Sequence, residues 1–200
     1  MSATHGISFV SQNLVSQQEF EEWLRNRQAN DSNRYELLEG RIVMNPPANW
    51  PEGEGEGEAY AALRAYVRPR RLGRVFGSGQ GFVLPTGDTV APDASFIGQD
   101  RWERGRPEPG SFIRIVPDLA IEVLSPNDPA RDLVQKRIIY ARSGVREYWV
   151  VDLHRAEVTV FHSVAEGQFD GGQVCGESDT IQSQVLPGLE VPVRELLIER

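Results

Sequence analysis

Asp93, Glu122 and Lys136 are the side chains whose types and order suit one piece of chemistry. Glu122 interrupts the apolar run Ala120, Ile121, Val123, Leu124, which reads as a strand covered on both faces. A carboxylate there is costly to desolvate unless it is paired or binds a cation. Lys136 follows fourteen residues later and is the single lysine among twenty-one basic residues. An ammonium is a compact point charge whose pKa shifts readily, whereas a guanidinium stays charged and suits bidentate contacts. Asp93 precedes Glu122 by 29 residues, after a proline at a strand entrance. Two carboxylates on neighbouring strands can hold a divalent cation through oxygen, and the cation lowers the pKa of a bound water. The lysine could then orient the attacking water or stabilise charge on a phosphoryl group.

Each residue also has a plainer reading. Lys136 alone fits a helix surface, Glu122 could face water or pair with Arg137, and Pro–Asp recurs at 117–118 as an ordinary turn dipeptide. Asp132 lies one turn before Lys136, either positioning the ammonium or forming a surface ion pair.

The elements that must position these groups follow from local patterns. Residues 1–15 are polar and unpatterned and read as a flexible arm, with residues 16–200 as one domain. Ser16 and Glu19 have capping-box spacing ahead of a short helix carrying Phe20, Trp23 and Leu24. Residues 34–44 read as two strands turning at Glu39 and Gly40. Residues 45–57 are rich in Pro and Gly and read as a loop, ending in Glu52, Glu54, Glu56 and Glu58, with a helix over 59–67.

Strands are predicted at 74–76, 81–84, 94–97 and 118–124, with a polar excursion at 99–108. Asp128 and Pro129 mark a helix start, and Gly144 its end. Leu133, Lys136 and Tyr140 share one side of that helix, beside an apolar stripe of Leu133, Val134, Arg137, Ile138 and Ala141. Further strands follow at 147–152 and 157–161, with weaker ones near 180–186 and 189–193. The order predicts an α/β fold, bordering on α+β, with a mixed sheet flanked by helices.

Composition narrows the function. The net charge of −8 argues against a general polyanion binder. Two arginine groups, Arg68, Arg70, Arg71, Arg74 and Arg101, Arg104, Arg106, could still follow a phosphate backbone or simply be solvated. One cysteine excludes an internal disulfide, and no long apolar run or leader is present, so a cytoplasmic protein is expected. His5, His154, His162 and Cys175 are scattered, and the glycines around Ser78 match no phosphate-binding fingerprint.

The phrases RYELLEGRIVM, APDASFI and PDLAIEVLSPNDPARDLVQKRIIYARSGVREYWVVD resemble the Uma2 family of restriction-like endonucleases, within the PD-(D/E)xK nuclease superfamily. The similarity spans roughly residues 16–198. It implies a restriction-endonuclease-like core and a Mg²⁺-dependent site, with Mn²⁺ as a substitute, for cutting DNA. Asp93 and Glu122 would be the metal ligands. The position two after Glu122 is Leu124, where the superfamily carries its lysine, and Lys136 on the next helix would replace it. A further acid from the first core helix would be Glu54, Glu56 or Glu58; no histidine stands at this place. By analogy a homodimer is expected. A fold retained only for binding, and a phosphodiesterase acting on RNA or nucleotides, are the rival readings.

Overall fold

A computed structural model describes residues 9–27, 31–124 and 130–198, with side chains at all of these but 9 and 130–132. The elements in chain order are β1 (Phe9–Val10), α1 (Gln17–Arg25), β2 (Arg34–Leu38), β3 (Arg41–Asn45), α2 (Glu52–Arg70) and β4 (Gly73–Gly77). Then come β5 (Phe82–Val83), β6 (Thr89–Val90), β7 (Ala94–Gly98), α3 (Gln99–Gly105), β8 (Leu119–Val123), α4 (Ala130–Ser143), β9 (Glu147–Asp152) and β10 (Glu157–Ala165). Four short strands follow: β11 (Gln168–Phe169), β12 (Gln173–Gly176), β13 (Thr180–Gln182) and β14 (Glu190–Pro192).

The main sheet has the order β11-β10-β9-β8-β7-β4, with β12 also on β10. Its β8–β9 pair is parallel and its other pairs are antiparallel. A parallel pair needs a crossover, and α4 supplies it. Alternation along β8 sends Leu119, Ile121 and Val123 into one core with Ala59, Leu63 and Val67 of α2. Ala120 joins the other core, with Ile139 and Tyr140 of α4. Glu122 lies on that α4 side, and β8 is buried along its whole length.

A second sheet, β1-β3-β2-β6-β5, carries the hairpin expected at 34–44. Its turn residues Glu39 and Gly40 both have positive φ, as a two-residue hairpin requires. Within the expected arm, Phe9–Val10 pairs with β3; residues 1–8 lie outside the described residues. Ser16 and Glu19 form the reciprocal capping box.

Three expectations change. The segment expected as a loop up to residue 57 becomes helical from Glu52 onwards. Three glycines there weaken a helix by about 1 kcal/mol each, but Gly55 lets α2 approach the sheet. A Cβ on Gly55 would lie 3.1 Å from Val123 Cγ1 and 3.2 Å from Leu153 Cδ1. The polar excursion contains α3, whose Trp102 ring packs 5.5 Å from that of Phe76. The buried face of α4 is rotated from the expected stripe, since Val134 and Ile138 are 49% and 39% exposed. Ile139, Tyr140 and Ser143 face inward, because the Tyr140 ring packs tilted against that of Tyr148, 5.1 Å between centroids, and its hydroxyl bonds a buried carboxylate. The expected start of this helix at 127–129 lies outside the described residues, while Gly144 ends it with φ 86°.

Candidate active site

Asp93 enters β7 just beyond the Ala94–Ile121 pairing, so it stands beside Glu122 on the adjacent strand. Glu122 is 6% exposed, and both of its oxygens are engaged. Lys136 Nζ donates to Oε2 at 2.9 Å, and the Tyr140 hydroxyl donates to Oε1 at 2.6 Å. The helical spacing of Lys136 and Tyr140 thus brings both onto one carboxylate. Arg137 does not pair with it and lies over the Phe161 ring at 5.3 Å.

Lys136 has a second partner that the sequence did not single out. Glu36 of β2, 1% exposed, places Oε2 at 3.1 Å from Nζ. Glu36 is fixed in turn by Asn45 Nδ2 and the Ala91 backbone N–H, each at 2.8 Å. The ammonium is therefore clamped between two buried carboxylates from different sheets.

Asp93 Oδ2 accepts the Val123 backbone N–H at 2.8 Å, which locks the two strand ends together. Its Oδ1 is 3.4 Å from Arg34 Nη1. The Arg34 fork grips Glu56 of α2, with Nη2 to Oε1 at 3.0 Å and Nη1 to Oε2 at 3.3 Å. Of the acids on the first turns of α2, Glu56 is the one beside Asp93. Glu54 instead accepts from Trp50 Nε1 at 3.0 Å, and Glu58 is exposed. The Asp132 side chain lies outside the described residues.

Burial, then repulsion from Glu122 and Glu56, raises the Asp93 pKa well above its ordinary 3.8. Burial likewise raises Glu122 above 4.5, opposed by Lys136 and Tyr140. Burial alone would lower Lys136, but Glu122, Glu36 and Asp93 outweigh it and hold the pKa well above 10.5. Lys136 is thus an ammonium at neutral pH and not a proton acceptor.

With all four ionised, Glu36, Glu56, Asp93 and Glu122 would carry two more negative charges than Arg34 and Lys136 can neutralise, a surplus that the raised proton affinity of Asp93 and Glu122 reflects. That is the charge of one divalent cation. The donors these residues offer are carboxylate oxygens, suited to a hard ion such as Mg²⁺. Among the described residues no cluster of three or more metal-ligating side chains forms. The fit is to an ion held by one or two carboxylates that keeps much of its water, as Mg²⁺ commonly does.

A mixed sheet between helices, with neighbouring acids at two strand ends and a lysine from the crossover helix, defines a nuclease-like α/β fold. The family model of Uma2, described as "Putative restriction endonuclease", matches residues 17–194. The chain belongs to the Uma2 family. A solved structure titled as a "putative nuclease belonging to DUF820 from Anabaena variabilis ATCC 29413" is similar to it, with TM-score 0.73. It is 20% identical, and the match covers 91% of this chain and 97% of that one. No curated protein matches the chain.

Sequence reasoning missed Glu36 and Arg34, and placed Tyr140 beside Lys136 without giving it a role. Glu36 had a usable signal, because it precedes Leu37 and Leu38 and all three are buried. A carboxylate in a strand covered on both faces asks for a cation, as Glu122 does. Arg34 had no signal of its own, whereas the four-residue spacing of Tyr140 from Lys136 was the signal for a shared partner.

Proposed function

We propose that the chain is an endonuclease that hydrolyses DNA phosphodiester bonds with Mg²⁺, for which Mn²⁺ can substitute. The observation that carries this reading is the pair Asp93 and Glu122, buried side by side with raised proton affinity and unbalanced charge. These two carboxylates would hold the metal, with Glu56 as the nearest further acid. A bound divalent ion supplies a water of lowered pKa and a Lewis acid for the phosphoryl oxygen.

The chain's own groups do the rest. Tyr140 fixes the Glu122 carboxylate, and the Val123 N–H fixes that of Asp93. Lys136, held protonated, offers positive charge where negative charge grows on the phosphoryl oxygens. Glu36 keeps the ammonium on station. A homodimer would bring two such sites to two strands.

The test is cleavage of plasmid and single-stranded DNA with Mg²⁺ or Mn²⁺ by the wild type, Lys136→Ala and Glu122→Gln. Nicking that needs metal and disappears in both folded variants is expected; equal activity in all three would refute the assignment. RNA and cyclic nucleotides as competitors separate DNA from other phosphodiesters.

One observation favours a binding protein of the same fold: each of the four acids already has a partner within the chain. On that reading neither metal raises the melting temperature, whereas a ligating site gains stability by mass action.

A further inference from the structure

At the opposite end of the same strands lies a cleft of about 780 Å³. It opens where β7 ends at Gly98 and β8 is entered at Asp118, five residues along β7 from Asp93. At a strand rise of about 3.3 Å per residue, this is roughly 17 Å from the acidic site. The two arginine groups that stand apart in the sequence meet there. Arg70 and Arg71 come from the end of α2, Arg101 and Arg104 from α3, and Arg146 from the entry to β9. Two acids share the cleft, Asp100 and Asp118, so its lining is cationic in a chain whose net charge is −8.

The arginines divide by what they already hold. Asp118, 2% exposed, accepts from Arg101 at 2.6 Å and from the Gly98 N–H at 2.8 Å, with Arg146 at 3.5 Å. Arg70 lies over the Tyr66 ring at 4.0 Å. The Arg71 and Arg104 side chains are exposed and make no hydrogen bond or ion pair among the described residues, although the Arg71 backbone N–H donates to the Arg68 carbonyl. Arg71 also caps α2 in the left-handed region, at φ 54° and ψ 36°, where glycine is the unstrained residue. The apolar part of the lining is formed by Leu72, Phe96, Val185 and Leu186. The Tyr66 hydroxyl braces it by donating to the Pro187 carbonyl at 2.8 Å.

We propose that this cleft binds a nucleoside phosphate, with the phosphoryl group on Arg71 and Arg104 and the base against the apolar part of the lining. Guanidinium forks match phosphoryl oxygens, and a cavity of this volume that sets cationic side chains beside Leu72, Val185 and Pro187 has room and chemistry for a nucleotide-sized ligand. The ligand is either a free nucleotide or a nucleotide unit of a single strand. The site is independent of the acidic end and of whether that end cleaves.

Calorimetric titration in chelator-containing buffer tests it, with three probes: ADP, a single-stranded oligodeoxynucleotide and tripolyphosphate. The proteins are the wild type, Arg71→Ala/Arg104→Ala, the charge-matched control Arg68→Ala/Arg106→Ala, and Lys136→Ala. ADP or the oligonucleotide should bind the wild type, the control and Lys136→Ala alike, and bind the cleft variant about tenfold or more weakly. If the strand is the ligand, losing the contact to that one phosphate should also reduce the salt slope by roughly 0.7. Tighter binding of ADP than of the oligonucleotide assigns the free nucleotide; the reverse assigns the strand. The proposal is overturned if neither binds at millimolar concentration, or if the control loses as much as the cleft variant. It also fails if tripolyphosphate binds as well as both, or if only Lys136→Ala loses binding.

Discussion

Replacing Lys136 by methionine keeps the bulk of the side chain and removes its charge from between two carboxylates 2.9 and 3.1 Å away. Glu122 and Glu36 are 6% and 1% exposed, so water cannot take over the ammonium's role. Removing one partner of a buried ion pair costs about 3–5 kcal/mol. In a domain of this size each kcal/mol moves the melting temperature by about 2–4 °C, so a fall of roughly 6–20 °C is expected near pH 7.

The penalty has a pH signature. Glu122 already binds its proton more tightly than an ordinary carboxylate, and without Lys136 it binds it more tightly still. Between neutral pH and a second, acidic pH, protonation of Glu122 in the variant offsets the lost ammonium, and the gap to the wild type narrows. Guanidinium unfolding followed by tryptophan fluorescence at both pH values measures this, and Lys136→Met/Glu36→Gln should recover part of the loss. A loss below about 1 kcal/mol, the scale of an exposed pair, or one unchanged by pH, would refute the buried clamp.

Other consequences can be measured separately. A Cβ on Gly57 would meet nothing within 4 Å, so Gly57→Ala should stabilise α2 by about 0.5–1 kcal/mol. Gly55→Ala should lose that gain against Val123 and Leu153, and similar denaturation midpoints for the two variants would count against the close approach. Glu147 is fully buried and accepts from Trp149 Nε1, Ser183 Oγ and the Gln184 and Val185 N–H groups. Glu147→Ala leaves these donors unmet and should cost about 3 kcal/mol or more; a change within 0.5 kcal/mol, about that of an ordinary surface substitution, would contradict this. In the metal-free protein, Asp93 and Glu122 hold protons that the unfolded chain releases at about 3.8 and 4.5. Their contribution is full below those values and is lost as pH rises through the raised folded values. Asp93→Asn should flatten this decline in melting temperature, and an unchanged slope would remove Asp93 as its source.

Much of the frame was legible because it follows from local chemistry. The capping box at Ser16, the hairpin at Glu39 and Gly40 and the buried strand around Glu122 need no knowledge of distant residues. The Lys136–Glu122 contact was legible because a helix after a strand packs back onto it. The start of α2 was not, because alternating Glu and Gly read as loop until Val123 and Leu153 are known to press on Gly55. The rotation of α4 was hidden for the opposite reason: Val134 and Ile138 look like core, yet Lys136 and Tyr140 turn inward to meet Glu122. Asp118 passed as a turn residue, and its burial among Gly98, Arg101 and Arg146 depends on three segments meeting.

The crossover through α4 fixes when the acidic site can exist as well as where. A ribosome releases Arg34 and Glu36 first, then Glu56, Asp93 and Glu122, and Lys136 last, a hundred residues after Glu36. β8 cannot gain its parallel partner until α4 has crossed and β9 has emerged. Contacts at such separations form late and slowly. A nascent chain therefore carries the carboxylates without their ammonium, and the acidic site is assembled only once the strand after Lys136 has docked.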